Sequence, residues 1–204
     1  FSDATGTCSG TPVAECFEDG EQLSELLDDF YSSTDYTNRM IGYMDENQDN
    51  GKPFFAYLAY TAPHWPLHVP DEWIEKYKGV YDVGWNEIRK SRFERQKDLG
   101  ILPENSELPP MNRVVKNWED ISIHQKKIEL KRIELHAAMV ELMDLYIGQM
   151  IEYVEKNFDR ETIIIFVSDN GAEGNAIEQM GQNEFWIPAT FDNRIENMGK
   201  QNSY

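Results

Sequence analysis

Three side chains in this sequence have the types and the setting for ester or ion chemistry. His64 stands in Pro63-His64-Trp65-Pro66, and Asp169 and Asn170 stand in Ser168-Asp169-Asn170-Gly171. A histidine binds an anion when protonated, or passes a proton to a departing oxygen. Asp169 and Asn170 together offer a carboxylate and an amide carbonyl. These are hard oxygen donors that suit Ca²⁺ or Mg²⁺ and serve soft metals poorly. They do not complete a site, because Ca²⁺ takes roughly six to eight oxygens. Each feature also has a plainer reading. Asp-Asn-Gly is ordinary turn chemistry, and a lone histidine between prolines can simply hydrogen-bond its own loop. On residue type alone both readings stand.

The remaining reactive side chains carry less. His68 lies four residues after His64, but Pro66 and Pro70 oppose the helix that would pair the two as metal ligands. His124 and His136 fall in helical stretches and receive no role. The two cysteines, Cys8 and Cys16, permit one disulfide but no framework. Acidic neighbours, Glu15 and Glu18, would weaken a Cys16 thiolate. No G-x-S-x-G elbow, P-loop or G-x-G-x-x-G occurs.

The elements that would position these residues are read from periodicity. Residues 1–20 read as loop. Apolar groups at helical spacing predict a helix over 33–46, with Thr34 or Asp35 as its cap. Residues 48–53 are a turn by composition. Phe54–Tyr60 (FFAYLAY) and Thr162–Ser168 (TIIIFVS) are short apolar runs bounded by turn residues and predict buried strands. Residues 71–78 predict a short helix, and 79–119 a polar surface excursion with short helices. Leu135, Met139, Leu142, Met143, Tyr146, Ile147, Met150, Ile151 and Val154 recur at steps of three and four, the stripe of an amphipathic helix. Strand, helix, strand in that order predicts a parallel pair with a right-handed crossover. Ligands in such sheets bind beyond the strands' carboxyl ends. His64 and Asp169–Asn170 would then converge if the strands are neighbours. A further short strand is expected at 187–191.

Formal net charge is −18, which disfavours nucleic acid and anionic membranes as partners. No apolar run approaches the roughly 20 residues of a membrane span. No signal peptide opens the sequence, so a cytoplasmic chain is the expectation.

The string GKPFFAYLAYTAPHWPL, residues 51–67, resembles the corresponding segment of arylsulfatases. So do Glu75-Lys76-Tyr77-Lys78-Gly79, Tyr81-Asp82-Val83-Gly84-Trp85, and Ala137 to Glu141 with Asp144 and Ile147-Gly148. The similarity is strongest in Ile165 to Glu173. Asp29 to Ser33 with Tyr36-Thr37, and Phe191-Asp192-Asn193 with Glu196-Asn197, extend it in the same order. The resemblance implies an α/β fold of the alkaline-phosphatase-like superfamily, a mixed sheet flanked by helices, of which this chain holds an incomplete part. It implies a sulfuric-ester hydrolase that uses a divalent cation, usually Ca²⁺. Asp169 and Asn170 would be metal ligands, and His64 would contact the sulfate group and assist the leaving oxygen. The partner implied is a small-molecule or glycan sulfate ester. In this family the nucleophile is a formylglycine made from the Cys or Ser of a C/S-x-P-S-R motif.

That motif is absent from these residues, and no early Asp-Asp pair matches the family's metal-binding context; Asp28–Asp29 is misplaced. Lys200 does not match the family's catalytic lysine. The expectation is therefore that residues 1–204 are the central part of one catalytic domain, without nucleophile segment or C-terminal part, and inactive alone. The alternatives are a truncated, non-catalytic protein, or a phosphodiesterase or phosphonate monoester hydrolase of the same superfamily.

Overall fold

The computed structural model describes residues 16–23, 30–48, 51–171 and 181–204. The first 15 residues, with Cys8, lie outside them. So do 24–29, which include Asp28–Asp29, the turn residues Asp49–Asn50, and 172–180.

The centre of the molecule is one long helix. α3 (Ile123–Asn157) follows two shorter ones, α1 (Ser32–Asn47) and α2 (Gly84–Asp98), and precedes α4 (Asn183–Thr190). Single 3₁₀ turns stand at Asp71–Trp73, Trp118–Asp120 and Ile195–Asn197. α3 begins where the Ser122 side chain accepts the Gln125 N–H, satisfying one of the unpaired amides of a helix start. Its buried residues Lys131, Glu134, Leu135, Ala138, Met139 and Leu142 recur at steps of three and four, and Val154 is buried near its end. The predicted stripe thus faces the core over its first half, while Ile147, Met150 and Ile151 are only half-buried. Against Leu135, Ala138, Met139 and Leu142 pack Tyr31, Ala62, Leu67, Val69 and Met198. Apolar area removed from water there is the main favourable term.

α1 lies along α3. Thr34 Oγ1 donates to the Tyr146 hydroxyl at 2.6 Å, and the Tyr153 hydroxyl donates to Asp45. Thr37, fully buried, bonds the Ser33 carbonyl at 2.7 Å and the Tyr60 hydroxyl at 2.7 Å. These bonds tie α1 to α3 and to the run that leads to His64.

Several expectations are corrected. α1 has no side-chain cap: Thr34 is used by Tyr146, and Asp35 pairs with Arg39 at 2.7 Å. Residues 71–78 form a 3₁₀ turn followed by further turns, not a helix. The polar excursion contains a full 15-residue helix, α2, whose buried residues reduce to Gly84. Residues 187–191 belong to the end of α4 and its exit, not to a strand.

The largest correction concerns the sheet. Among the described residues the sole ladder is an antiparallel ribbon, β1 (Phe17–Glu18) with β2 (Glu21–Gln22). Phe54–Tyr60 and Thr162–Ser168 carry no strand pairing, and no backbone hydrogen bond joins them. The predicted parallel pair with its crossover is not formed. Both runs lie open instead: Phe55 is 93% exposed, Ile165 79% and Val167 75%. Neither run meets the row of backbone partners that a strand requires. No described helix is long and apolar enough to cross a membrane.

Candidate active site

His64 sits where the first apolar run turns into the core. Its amide donates to the Thr61 carbonyl at 3.0 Å. The peptide bonds Ala62–Pro63 and Trp65–Pro66 on either side are cis. The ring itself is exposed, and its Nδ1 lies 2.7 Å from the Trp65 carbonyl oxygen. A carbonyl only accepts, so Nδ1 carries the proton in that contact. In the neutral ring Nε2 then holds the lone pair, and in the cation it becomes a donor. Beside the ring is a small depression bordered by Tyr31, Ser32, Thr61 and His68.

Asp169 and Asn170 follow the second apolar run, at a bend, and both are exposed. Their interactions are local. Asp169 Oδ1 accepts the Asn170 amide at 3.0 Å. One atom of the Asn170 side-chain amide lies 3.1 Å from Asp169 Oδ1 and 3.3 Å from the Gly171 carbonyl oxygen when it acts as the nitrogen. As N–H it donates to both. Turned by half a rotation, it brings a third oxygen to the same place, hard donors of the kind that a divalent cation takes. The donor chemistry therefore fits a divalent cation. The donor number falls short: among the described residues no group of three or more His, Cys, Asp or Glu side chains could hold a metal.

No hydrogen bond or ion pair among the described residues joins His64 to Asp169 or Asn170. The convergence expected from neighbouring strands depended on a ladder that is not there. His124 is exposed near the start of α3, and His136 also lies on that helix.

His68 emerges as the histidine that sequence reasoning passed over. It is buried, 6% exposed, and its Nε2 donates to the Ser203 carbonyl at 2.6 Å. Burial pushes its ring down to about 4, the bond to Ser203 opposing this only in part. The sequence signal was slight: a histidine between two prolines says nothing about a partner 135 residues away.

A family model described as Sulfatase matches residues 2–193. An uncharacterised sulfatase of Schizosaccharomyces pombe is 41% identical over 181 residues, which are 87% of this chain and 32% of that protein. An arylsulfatase of Klebsiella aerogenes is 38% identical over 188 residues, 91% of this chain and 39% of that protein. A sulfatase of Formosa agariphila is 26% identical over 149 residues, 71% of this chain and 27% of its own length. The chain thus spans about a third of the length of the curated relatives it matches.

Proposed function

The chain belongs to the sulfatase family, and from that premise we propose that it forms the central part of a catalytic domain that hydrolyses sulfuric esters. The observation that carries this reading is the state of His64. Its Nδ1 is committed to the Trp65 carbonyl, which leaves Nε2 as the ring's one atom for substrate. In the protonated ring Nε2–H donates to a sulfate oxygen or to the leaving oxygen. As the S–O bond breaks, that proton neutralises the departing alkoxide, and the ring returns to its Nδ1–H form.

Asp169 and Asn170 would hold a divalent cation, Ca²⁺ or Mg²⁺, together with donors beyond the described residues. Such an ion neutralises charge on the sulfuryl oxygens. A formylglycine nucleophile is expected only from a C/S-x-P-S-R segment, and these residues contain none. Phe54–Tyr60 and Thr162–Ser168 are read as strands of the family's mixed sheet, supported by their apolar composition and their exposure. In that sheet His64 and Asp169–Asn170 would share one end. The substrate is read as a small-molecule or glycan sulfate ester, which the family match supports; the net charge of −18 speaks against nucleic acid and anionic membranes as partners.

The test is hydrolysis of an aryl sulfate by the 204 residues and by a longer chain that supplies the C/S-x-P-S-R segment. The longer chain is expected to turn over and the 204 residues are not. Cleavage of phosphate diesters with no action on sulfate esters would reject the sulfatase reading. Turnover by the 204 residues alone would show that the nucleophile has been misjudged.

A further inference from the structure

Resting on the reading of His64 just given, we propose that His68 is a positioning residue for His64: by holding the Trp65–Leu67 bridge against the turn at Gly199–Tyr204, it keeps the Trp65 carbonyl where it fixes the His64 tautomer. Among the described residues one carbonyl orients the His64 ring. That carbonyl belongs to a residue anchored on both sides. On one side the Trp65 ring stacks on Tyr204, with centroids 6.3 Å apart and planes at 10°. The Arg132 guanidinium lies 5.4 Å from the centre of the Trp65 ring. On the other side His68 Nε2–H reaches the Ser203 carbonyl at 2.6 Å, and the Val69 amide reaches the Gly199 carbonyl at 3.1 Å.

The receiving turn is itself tied down. The Gly199 amide donates to Ser203 Oγ at 3.1 Å, and that hydroxyl donates to the Lys200 carbonyl at 2.8 Å. Gly199 adopts φ +95°, and a Cβ there would meet Leu135 Cδ2 at 2.5 Å, so the turn presses directly on α3. His68 is well suited to the task. Buried and held neutral, it presents one N–H to one carbonyl and adds no charge to the core.

A merely structural His68 would affect stability and leave the His64 tautomer untouched, which separates the two roles. Long-range ¹H–¹⁵N correlation spectra of the histidine-labelled 204-residue chain, at mildly alkaline pH, read that tautomer directly. In the unaltered chain the two ring nitrogens of His64 should give well-separated signals, with the proton on Nδ1. In His68→Ala they should lose most of that separation as both tautomers become populated. His68→Gln places an amide N–H within reach of the Ser203 carbonyl and should restore the separation. Tyr204→Ala removes the other anchor from a half-exposed position, and it decides the matter if His68→Ala does not fold. A proton on Nε2 in the unaltered chain overturns the proposal. So does an unchanged His64 spectrum in folded His68→Ala or, failing that variant, in Tyr204→Ala. Failure of His68→Gln to restore the signals overturns the role of the donated hydrogen bond. These spectra do not depend on ester hydrolysis, so a negative hydrolysis assay rejects the sulfatase reading without deciding the tautomer.

Discussion

The Asp169 carboxylate is exposed and, among the described residues, accepts from Asn170 alone, so the fold has little stake in it. Asp169→Ala is expected to change the stability of the 204 residues by less than about 0.5 kcal/mol. In a longer, active chain it should abolish cation-dependent sulfate ester hydrolysis; undiminished turnover would remove Asp169 from the site. His68 is the opposite case. Its ring titrates at about 4 when folded, below the ordinary 6.5, so on acidification the unfolded chain takes up the proton first. Its contribution is therefore complete above pH 6.5 and is lost as pH falls towards 4. Burial shifts His136 in the same direction, so its contribution too begins to fall below pH 6.5. Glu75, drawn down to about 2 by Lys131 and Lys78, acts only below the ordinary carboxylate value of 4.5. The His68 share is on the order of 3 kcal/mol. Chemical denaturation across this range should show a shallower loss in His68→Gln than in the unaltered chain. Parallel curves would mean that His68 titrates normally.

At the scale of elements, α3 is the part on which everything else leans. Leu135, 1% exposed, touches both the His64 loop's core side and the Gly199 turn. Leu135→Ala should cost about 2–5 kcal/mol, measured by denaturant unfolding. Gly199→Ala should cost about 1–3 kcal/mol through overpacking on Leu135 and a left-handed backbone. Gly84→Ala should behave alike, since a Cβ there would lie 2.2 Å from Trp118 Cγ. α3 was legible in the sequence because its buried groups recur at helical spacing, and α1 because Tyr36, Met40, Tyr43 and Met44 do, although of these four only Met44 is buried. α2 was not, because a helix that buries only a glycine leaves no apolar period to read. The run at 187–191 misled because a short apolar stretch fits strand and helix alike. The two strand runs were legible as apolar segments. Their pairing was not, because pairing depends on partners that neither run names. The proposed half-site inherits this limit: residue types left His64, Asp169 and Asn170 open between chemistry and plain turns, the resemblance to arylsulfatases made them candidates, and their convergence required a ladder. His68 was missed because its role lies in a bond across the chain.

At the scale of the whole molecule, the open runs are a liability. Ile163, Ile165 and Val167 are 84%, 79% and 75% exposed in a stretch with high β-propensity and no charge. Ile165→Lys should reduce self-association of the 204 residues, as read by light scattering against concentration. Equal scattering would locate the sticky surface elsewhere. The clamp between the His64 loop and the Gly199–Tyr204 turn has a further consequence, in time rather than space. Its key bond spans 135 residues, whereas the contacts within each helix are local and form early. During synthesis α1 and α3 can assemble while the loop around His64 still lacks its anchor. The candidate catalytic ring is set only when Ser203 has emerged and folded back, so the order of translation gives this corner its working shape after α1 and α3 have formed.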